Sequence, residues 1–357
     1  MSRATGAARG LATHLRLFVV LARPAVLLLM ALSAALGTAT AGRASSLGAF
    51  SHALVVVLGL VVFAIAVNDL SDVAADRANA DRLGHRPLVA GTARPRQLAA
   101  VALGGAALAL VAAALAAPWC AGVVLAGLLL AAGHSLPPAR FAGRGVVGPL
   151  VLPAGFVAVP FLSGVAAAGG TVTPRSLALV AGLWLGFVGR LLLKDFRDVR
   201  GDALVGKRTF LVRHGRGSAC AASAVAWVAG SSALLAVDHL DAVVAAAFLA
   251  PAALALWLLR SLARSVDHRS DDRLVAAVAI CGRGQLLVLV AHLAAVQAGL
   301  PDARRALLLA ALCVWTAGLA LPMAAIGPVR LRTETPRALQ SSTGTPVRRG
   351  TGTSVRA

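Results

Sequence analysis

Tyrosine is absent from this chain, and the residues that make a soluble surface are scarce: 13% of the 357 positions are charged and 59% are hydrophobic, where a soluble domain carries about 25% charge. That scarcity excludes a water-soluble globule. Mean hydropathy of +0.82, spread over the whole length, implies a polytopic helical membrane protein with the bilayer as its solvent. Cysteine is sparse too. Cys120, Cys220, Cys281 and Cys313 lie in apolar stretches with no C-x-x-C pairing and no His at ligand spacing, which leaves them as small buried hydrophobes. Acid is the scarcest charge, with 14 Asp and Glu against 34 Lys and Arg and a net charge of +20. In a soluble chain this excess would point to nucleic acid. Here the cations fall between apolar segments, where membrane topology places positive charge on the cytoplasmic side, so no nucleic-acid partner is expected. Arg supplies 32 of the 34 cations, and with the Ala richness this points to a high-GC bacterial source.

Apolar segments of the roughly 17 to 25 residues that a span requires fall near 24–41, 47–67, 98–117, 118–136, 146–166, 176–193, 217–237, 242–259, 274–298 and 305–327. The last is the weakest, so nine spans are expected, or ten if 305–327 also crosses. The first is interrupted by Arg23-Pro24 and reads as a retained helix rather than a cleaved signal. Ala117-Pro118 marks a tight hairpin, since Pro suits a first helical position. With the N-terminus inside, 29 Lys and Arg fall on the cytoplasmic side and four (Arg43, Arg175, Arg304, Arg305) outside, which sets the orientation. The expected organisation is a cytoplasmic N-terminal arm (1–23), a transmembrane domain (24–327) and a basic, disordered cytoplasmic tail (328–357).

Half of the acids sit in two loops expected on the cytoplasmic side: Asp69, Asp72, Asp76 and Asp81 in one, Asp195, Asp198 and Asp202 in the other. N-D-L-S-D-V-A-A-D (68–76) and K-D-F-R-D-V-R-G-D (194–202) share three Asp and a Val at an offset of 126 residues. The three- and four-residue steps put each triad on one face if helical. Four spans lie between them, an even number, so both triads reach the same membrane side and can face each other. Like charges at such spacing repel, and embedding them at a membrane surface costs more. Mg²⁺ is the compensating partner this donor set suits, because it takes one or two carboxylates, waters and phosphate oxygens. Two banks would then hold a diphosphate among Arg82, Arg86, Arg140, Lys194, Arg197, Lys207 and Arg208, with Arg suited to bidentate phosphate contacts and Lys to a point charge.

The motif N-D-x-x-D-x-x-x-D at the second span's end, H-R-P-L-x-x-G (85–91), H-S-L-P-P-A-R (134–140), and D-F-R-D-V-R-G-D followed by G-K-R-T (206–209) resemble the UbiA-type intramembrane prenyltransferases. The resemblance runs from about Arg23 to the ninth apolar segment. It implies an all-α bundle of about nine membrane helices around a central cavity with a cytoplasmic cap. It further implies Mg²⁺-dependent transfer of an isoprenyl group from an isoprenyl diphosphate to a hydrophobic or aromatic acceptor. By motif, Asp69, Asp72, Asp76, Asp195, Asp198 and Asp202 would ligate metal, with Asn68, Asp72 and Asp198 at the reacting centre. Arg23, Asn68, Arg86, Arg140, Lys194 and Lys207 would bind diphosphate or acceptor, Arg23 on the acceptor side. His134 and Ala142 stand where family members often show Tyr and Lys. The chemistry expected is ionisation of an allylic C–O bond in a cavity that excludes water, where Phe63, Phe156, Phe161, Trp184 and Phe187 are candidate ring faces for the carbocation. His85 and His134 are read as surface histidines at the cytoplasmic mouth.

Two other readings stand beside transfer. A terpene cyclase of the same fold would capture the cation within its own chain. A cation-coupled transporter would carry acids at mid-membrane on discontinuous helices, whereas these acids end apolar segments among phosphate-binding cations.

Overall fold

A computed structural model describes residues 13–44, 46–78, 86–197, 199–204, 206–238 and 240–326. Asp81, Arg82, His85, Asp198 and the tail from 328 lie outside the described residues.

Helices α1 (Thr13–Leu21) and α2 (Pro24–Thr40) are bent by 67° at Arg23-Pro24, where Pro24 opens α2 and Arg23 adopts φ 36°. α3 (Leu47–Ser71) is capped by Ser46, whose side chain accepts from the Ala49 amide, and short α4 (Val73–Ala78) follows it. α5 (Pro95–Ala116) and α6 (Pro118–Ser135) meet at Ala117, the expected hairpin. α7 (Val147–Ala167) carries a π-turn over Ala154–Ala158 just after Pro153, since Pro has no N–H for the i→i−4 ladder and the backbone must adjust locally. Thr173 and Ser176 cap α8 (Pro174–Leu191) reciprocally. A 3₁₀ turn (Lys194–Phe196) and short α9 (Val199–Leu204) come next. α10 (Phe210–Asp238), α11 (Ala242–Arg264), α12 (His268–Gln297) and α13 (Asp302–Ala325) complete the chain.

Among the described residues nine helices are long and apolar enough to cross a membrane, and ten if the bent pair α1/α2 is one span. The molecule is an all-α polytopic membrane protein. The segment expected to be weakest is a full helix, α13, but only 17% of its apolar window is buried. It lies on the rim of the bundle, and packing explains why its sequence signal stands alone.

Lipid tails are as apolar as Leu, so helix association rests on close packing and small residues. A Cβ at Gly37 of α2 would strike the Phe161 carbonyl oxygen of α7, and one at Gly164 of α7 the Ala34 carbonyl of α2. Gly59 and Gly105 bring α3 against α5, and Gly230 brings α10 against Gly182 and Gly186 of α8. At the end of the bundle that carries the acids, Arg216 of α10 donates to both carboxylate oxygens of Asp271 on α12 (2.6 and 2.8 Å) and to the Leu262 carbonyl of α11 (3.0 Å). This clamp fixes three helices beside the acidic loops. A two-residue parallel pair, Arg144–Gly145 with Arg208–Thr209, joins the loops before α7 and after α9.

Candidate active site

The first acidic bank is not one helical face. Asn68 and Asp69 end α3, Asp72 is its C-cap, and Asp76 lies on α4. The second bank is broken likewise, with Asp195 in the 3₁₀ turn and Asp202 on α9. The breaks spread the carboxylates over several short elements, where cations from other parts of the chain reach them.

Asp69, Asp76, Asp195 and Asp202 are all buried, so each must be compensated. Arg23 Nη2 donates to Asp69 Oδ1 at 2.6 Å, and Arg86 Nη1 lies 3.4 Å from the same oxygen. Arg86 also pairs with Asp76. Asn68 donates to Asp72 Oδ2 at 2.9 Å. Lys207 Nζ lies 2.7 Å from Asp72 Oδ1 and 3.4 Å from Asp202 Oδ1, so one buried ammonium joins the two banks at the same end of the bundle. Half-exposed Arg140 approaches Asp72 at 3.9 Å. Burial pushes Asp76 up to about 6 against the pull of Arg86. Desolvation draws the Lys207 ammonium down, but Asp72 and Asp202 outweigh it and leave its pKa raised.

Arg23, expected on the acceptor side, pairs with Asp69 in the structure. One expectation is corrected. His134 is no surface histidine: it is 4% exposed and accepts at Nε2 from Lys194 Nζ at 3.3 Å, while its Nδ1 is buried without a partner. Nothing in the H-S-L-P-P-A-R run signals that burial, which comes from packing against the Lys194 turn sixty residues away.

Behind the charges lie two cavities between the helices. One, of about 10 Å³, is lined by apolar side chains including Met30, Leu60 and Phe156. The other, of about 60 Å³, lies among α8, α10, α11 and α12 and includes Phe187. The Phe156 and Phe187 rings stack at 6.1 Å, one from each wall. Phe161 is fully buried in packing, and Trp184 donates to the Leu150 carbonyl at 3.0 Å.

No group of three or more His, Cys, Asp or Glu among the described residues closes into a ready metal cage. The donors are nevertheless hard oxygens, and Asp69 Oδ2 is buried without a hydrogen-bond partner. They fit Mg²⁺, which takes one or two carboxylates and completes its shell with water and phosphate oxygens.

The profile of the UbiA prenyltransferase family matches residues 26–281. The digeranylgeranylglyceryl phosphate synthase of Methanopyrus kandleri is 30% identical over 291 residues, covering 78% of this chain and 99% of that protein. This relative is archaeal and gives no support to the bacterial source suggested by composition. Among solved structures, a UbiA homologue from Archaeoglobus fulgidus superposes with a TM-score of 0.57 at 15% identity, covering 87% of this chain and 100% of that one. Another from Aeropyrum pernix K1 gives 0.56 at 22% identity, covering 73% and 94%.

Proposed function

The chain belongs to the UbiA prenyltransferase family, and from that premise we propose that it transfers an isoprenyl group from an isoprenyl diphosphate to a hydrophobic or aromatic acceptor in the membrane, releasing diphosphate. The observation that carries this reading is Lys207, shared by Asp72 and Asp202, because a diphosphate needs acids and cations from both banks around one space. Support also comes from the Archaeoglobus fulgidus homologue solved with GPP and Mg²⁺, which has the same fold at 15% identity.

Asp69, Asp72 and Asp76 on one side and Asp195, Asp198 and Asp202 on the other would hold Mg²⁺. Bound there, Mg²⁺ supplies charge neutralisation for the departing diphosphate. The cations of the chain do the rest. Arg86, Arg140 and Lys207 exchange part of their carboxylate contacts for phosphate oxygens, which keeps the charge balanced as the allylic C–O bond opens. Asn68 orients Asp72 by donating to it. Lys194, steadied by His134, adds a point charge at the same rim. The apolar walls with Phe156 and Phe187 exclude the water that would quench the cation. Acids and cytoplasmic charge share one membrane side in this reading, and the arm, membrane domain and tail follow the boundaries 1–23, 24–327 and 328–357.

The test is product analysis with purified protein in lipid nanodiscs, Mg²⁺ and labelled GPP. Without acceptor the label should appear only slowly as the alcohol, and with a lipid extract containing the acceptor it should move to a heavier product. EDTA should stop both, and added Mg²⁺ restore them. Turnover in excess chelator would overturn the metal-bridged site, and a cyclic hydrocarbon formed without acceptor would make the protein a cyclase.

A further inference from the structure

Positive charge near the cytoplasmic ends of spans is what topology requires, but Arg283 is not near an end. It stands nine residues beyond Leu274, where α12 turns apolar, about 14 Å further along the helix at 1.5 Å per residue. Arg190, in the last turn of α8, lines the same cavity of about 60 Å³. Among the described residues neither guanidinium has a carboxylate partner. Arg283 donates only to the Ala25 carbonyl at 3.3 Å, and the structure gives Arg190 no side-chain hydrogen bond or ion pair. The neutral polar groups of this cavity are satisfied. Gln285 accepts from Trp227 (2.7 Å) and donates to Ser231 (3.2 Å) and to the Phe248 carbonyl (3.3 Å).

A cation inside a membrane is costly unless paired, and pairing two like cations in one cavity raises the cost. Arg23, the side chain expected to meet the acceptor, is taken by Asp69. Arg283 holds the carbonyl two residues after Arg23, so the cavity adjoins the first bank through the start of α2. Its volume exceeds several times the roughly 10–15 Å³ that one water needs, enough for a tetrahedral phosphate or a carboxylate. We propose that Arg190 and Arg283 form an intramembrane anion site that takes the phosphate or carboxylate head of an amphiphile. Resting on the function proposed above, that amphiphile is the acceptor, held with its head between α8 and α12 while its apolar part lies among the helices. Two guanidinium forks suit bidentate contacts to such oxygens.

The site is tested without turnover, on the full chain in nanodiscs of zwitterionic phosphatidylcholine. The probes are 1-oleoyl lysophosphatidic acid for a phosphate head on a chain, dodecanoate for a carboxylate head, and inorganic phosphate for the free ion, with binding read by native mass spectrometry and by thermal shift. Saturable binding of either amphiphile is expected, with at least tenfold weaker binding in Arg190→Leu and in Arg283→Gln, while GPP and Mg²⁺ still bind. Inorganic phosphate competing as well as the amphiphiles would mean a free-ion site and overturn the acceptor assignment. Arg190→Leu should also melt higher than the parent in zwitterionic lipid, because it removes an uncompensated charge, and should no longer be stabilised by lysophosphatidic acid. Equal affinity in parent and variants, or a parent that retains GPP and binds no anionic amphiphile, would overturn the site. Loss of GPP binding in the parent would instead strike the proposed transferase reaction.

Discussion

Lys207 answers to two carboxylates from loops more than a hundred residues apart, so its neighbours should be far more sensitive than exposed acids elsewhere. Asp72→Ala should lower prenyl transfer by about 10²–10³, the usual cost of removing one electrostatic contact to a transition state, while the protein still elutes as a folded species in detergent. Steady-state turnover of GPP, with size exclusion as the folding check, decides it. Asp76 adds a pH dependence whose sign follows from its shift. Its carboxyl, raised to about 6 from 3.8, holds its proton longer in the fold than in the unfolded chain, so its contribution to stability is greatest at low pH and falls as pH rises through 6. Metal needs the ionised form. One unit below that value a single carboxyl is about nine-tenths protonated, so Mn²⁺ binding by the metal-free protein should be about tenfold weaker at pH 5 than above pH 7. Asp76→Asn should bind less tightly and lose most of that dependence; a titration followed by electron paramagnetic resonance would show it. These acids were legible from their spacing alone. The pairing of Arg23 with Asp69 was not, since 46 residues separate them and only the bend at Pro24 brings them together.

The elements carrying those residues were legible because each apolar run has the length of a span and most begin at a cap or a Pro. What periodicity hid was their ends. The step of three and four residues in each triad fits a helical face, yet α3 stops at Asp72 and the second bank begins in a 3₁₀ turn, where Arg86 and Lys207, each from outside its bank's helix, reach two carboxylates apiece. The π-turn of α7 was equally hidden, although Pro153 is its visible cause. Where helices touch through backbone, the prediction is steric. Gly164→Leu should lower the melting temperature and halve or worse the folded yield, since overpacking a tight contact costs about 1–3 kcal/mol and here the obstacle is the Ala34 carbonyl. The Arg216–Asp271 clamp makes the complementary case. Asp271 is 1% exposed, and Asp271→Ala strands a guanidinium at the junction of α10, α11 and α12, a loss of about 3 kcal/mol by the usual cost of breaking a buried pair. Thermal denaturation in detergent should rank it well below Asp302→Ala, whose carboxylate is 89% exposed.

At the scale of the whole molecule the two banks occupy corresponding places in two halves. α3 carries the first and packs on α5, its neighbouring span, through Gly59 and Gly105; α8 carries the second and packs on α10 through Gly182, Gly186 and Gly230. Four spans, α5 to α8, separate the banks, so an even count returns the chain to one side, and Lys207 joins them there. The side is proposed from the sequence: 29 of the Lys and Arg fall in segments expected on one side and four in those expected on the other, and by the positive-inside rule the acid-bearing end would face the cytoplasm. Arg77 and Arg208 are exposed and flank the two banks, so cysteines there report both at once. In a background with the four native cysteines replaced by serine or alanine, Arg77→Cys and Arg208→Cys should resist a membrane-impermeant maleimide in intact cells and react once the membrane is opened, whereas Arg175→Cys, exposed in the first turn of α8, should react from outside. Labelling at 77 and 208 from outside would invert the whole bundle, and labelling of one without the other would separate the banks and with them the diphosphate site.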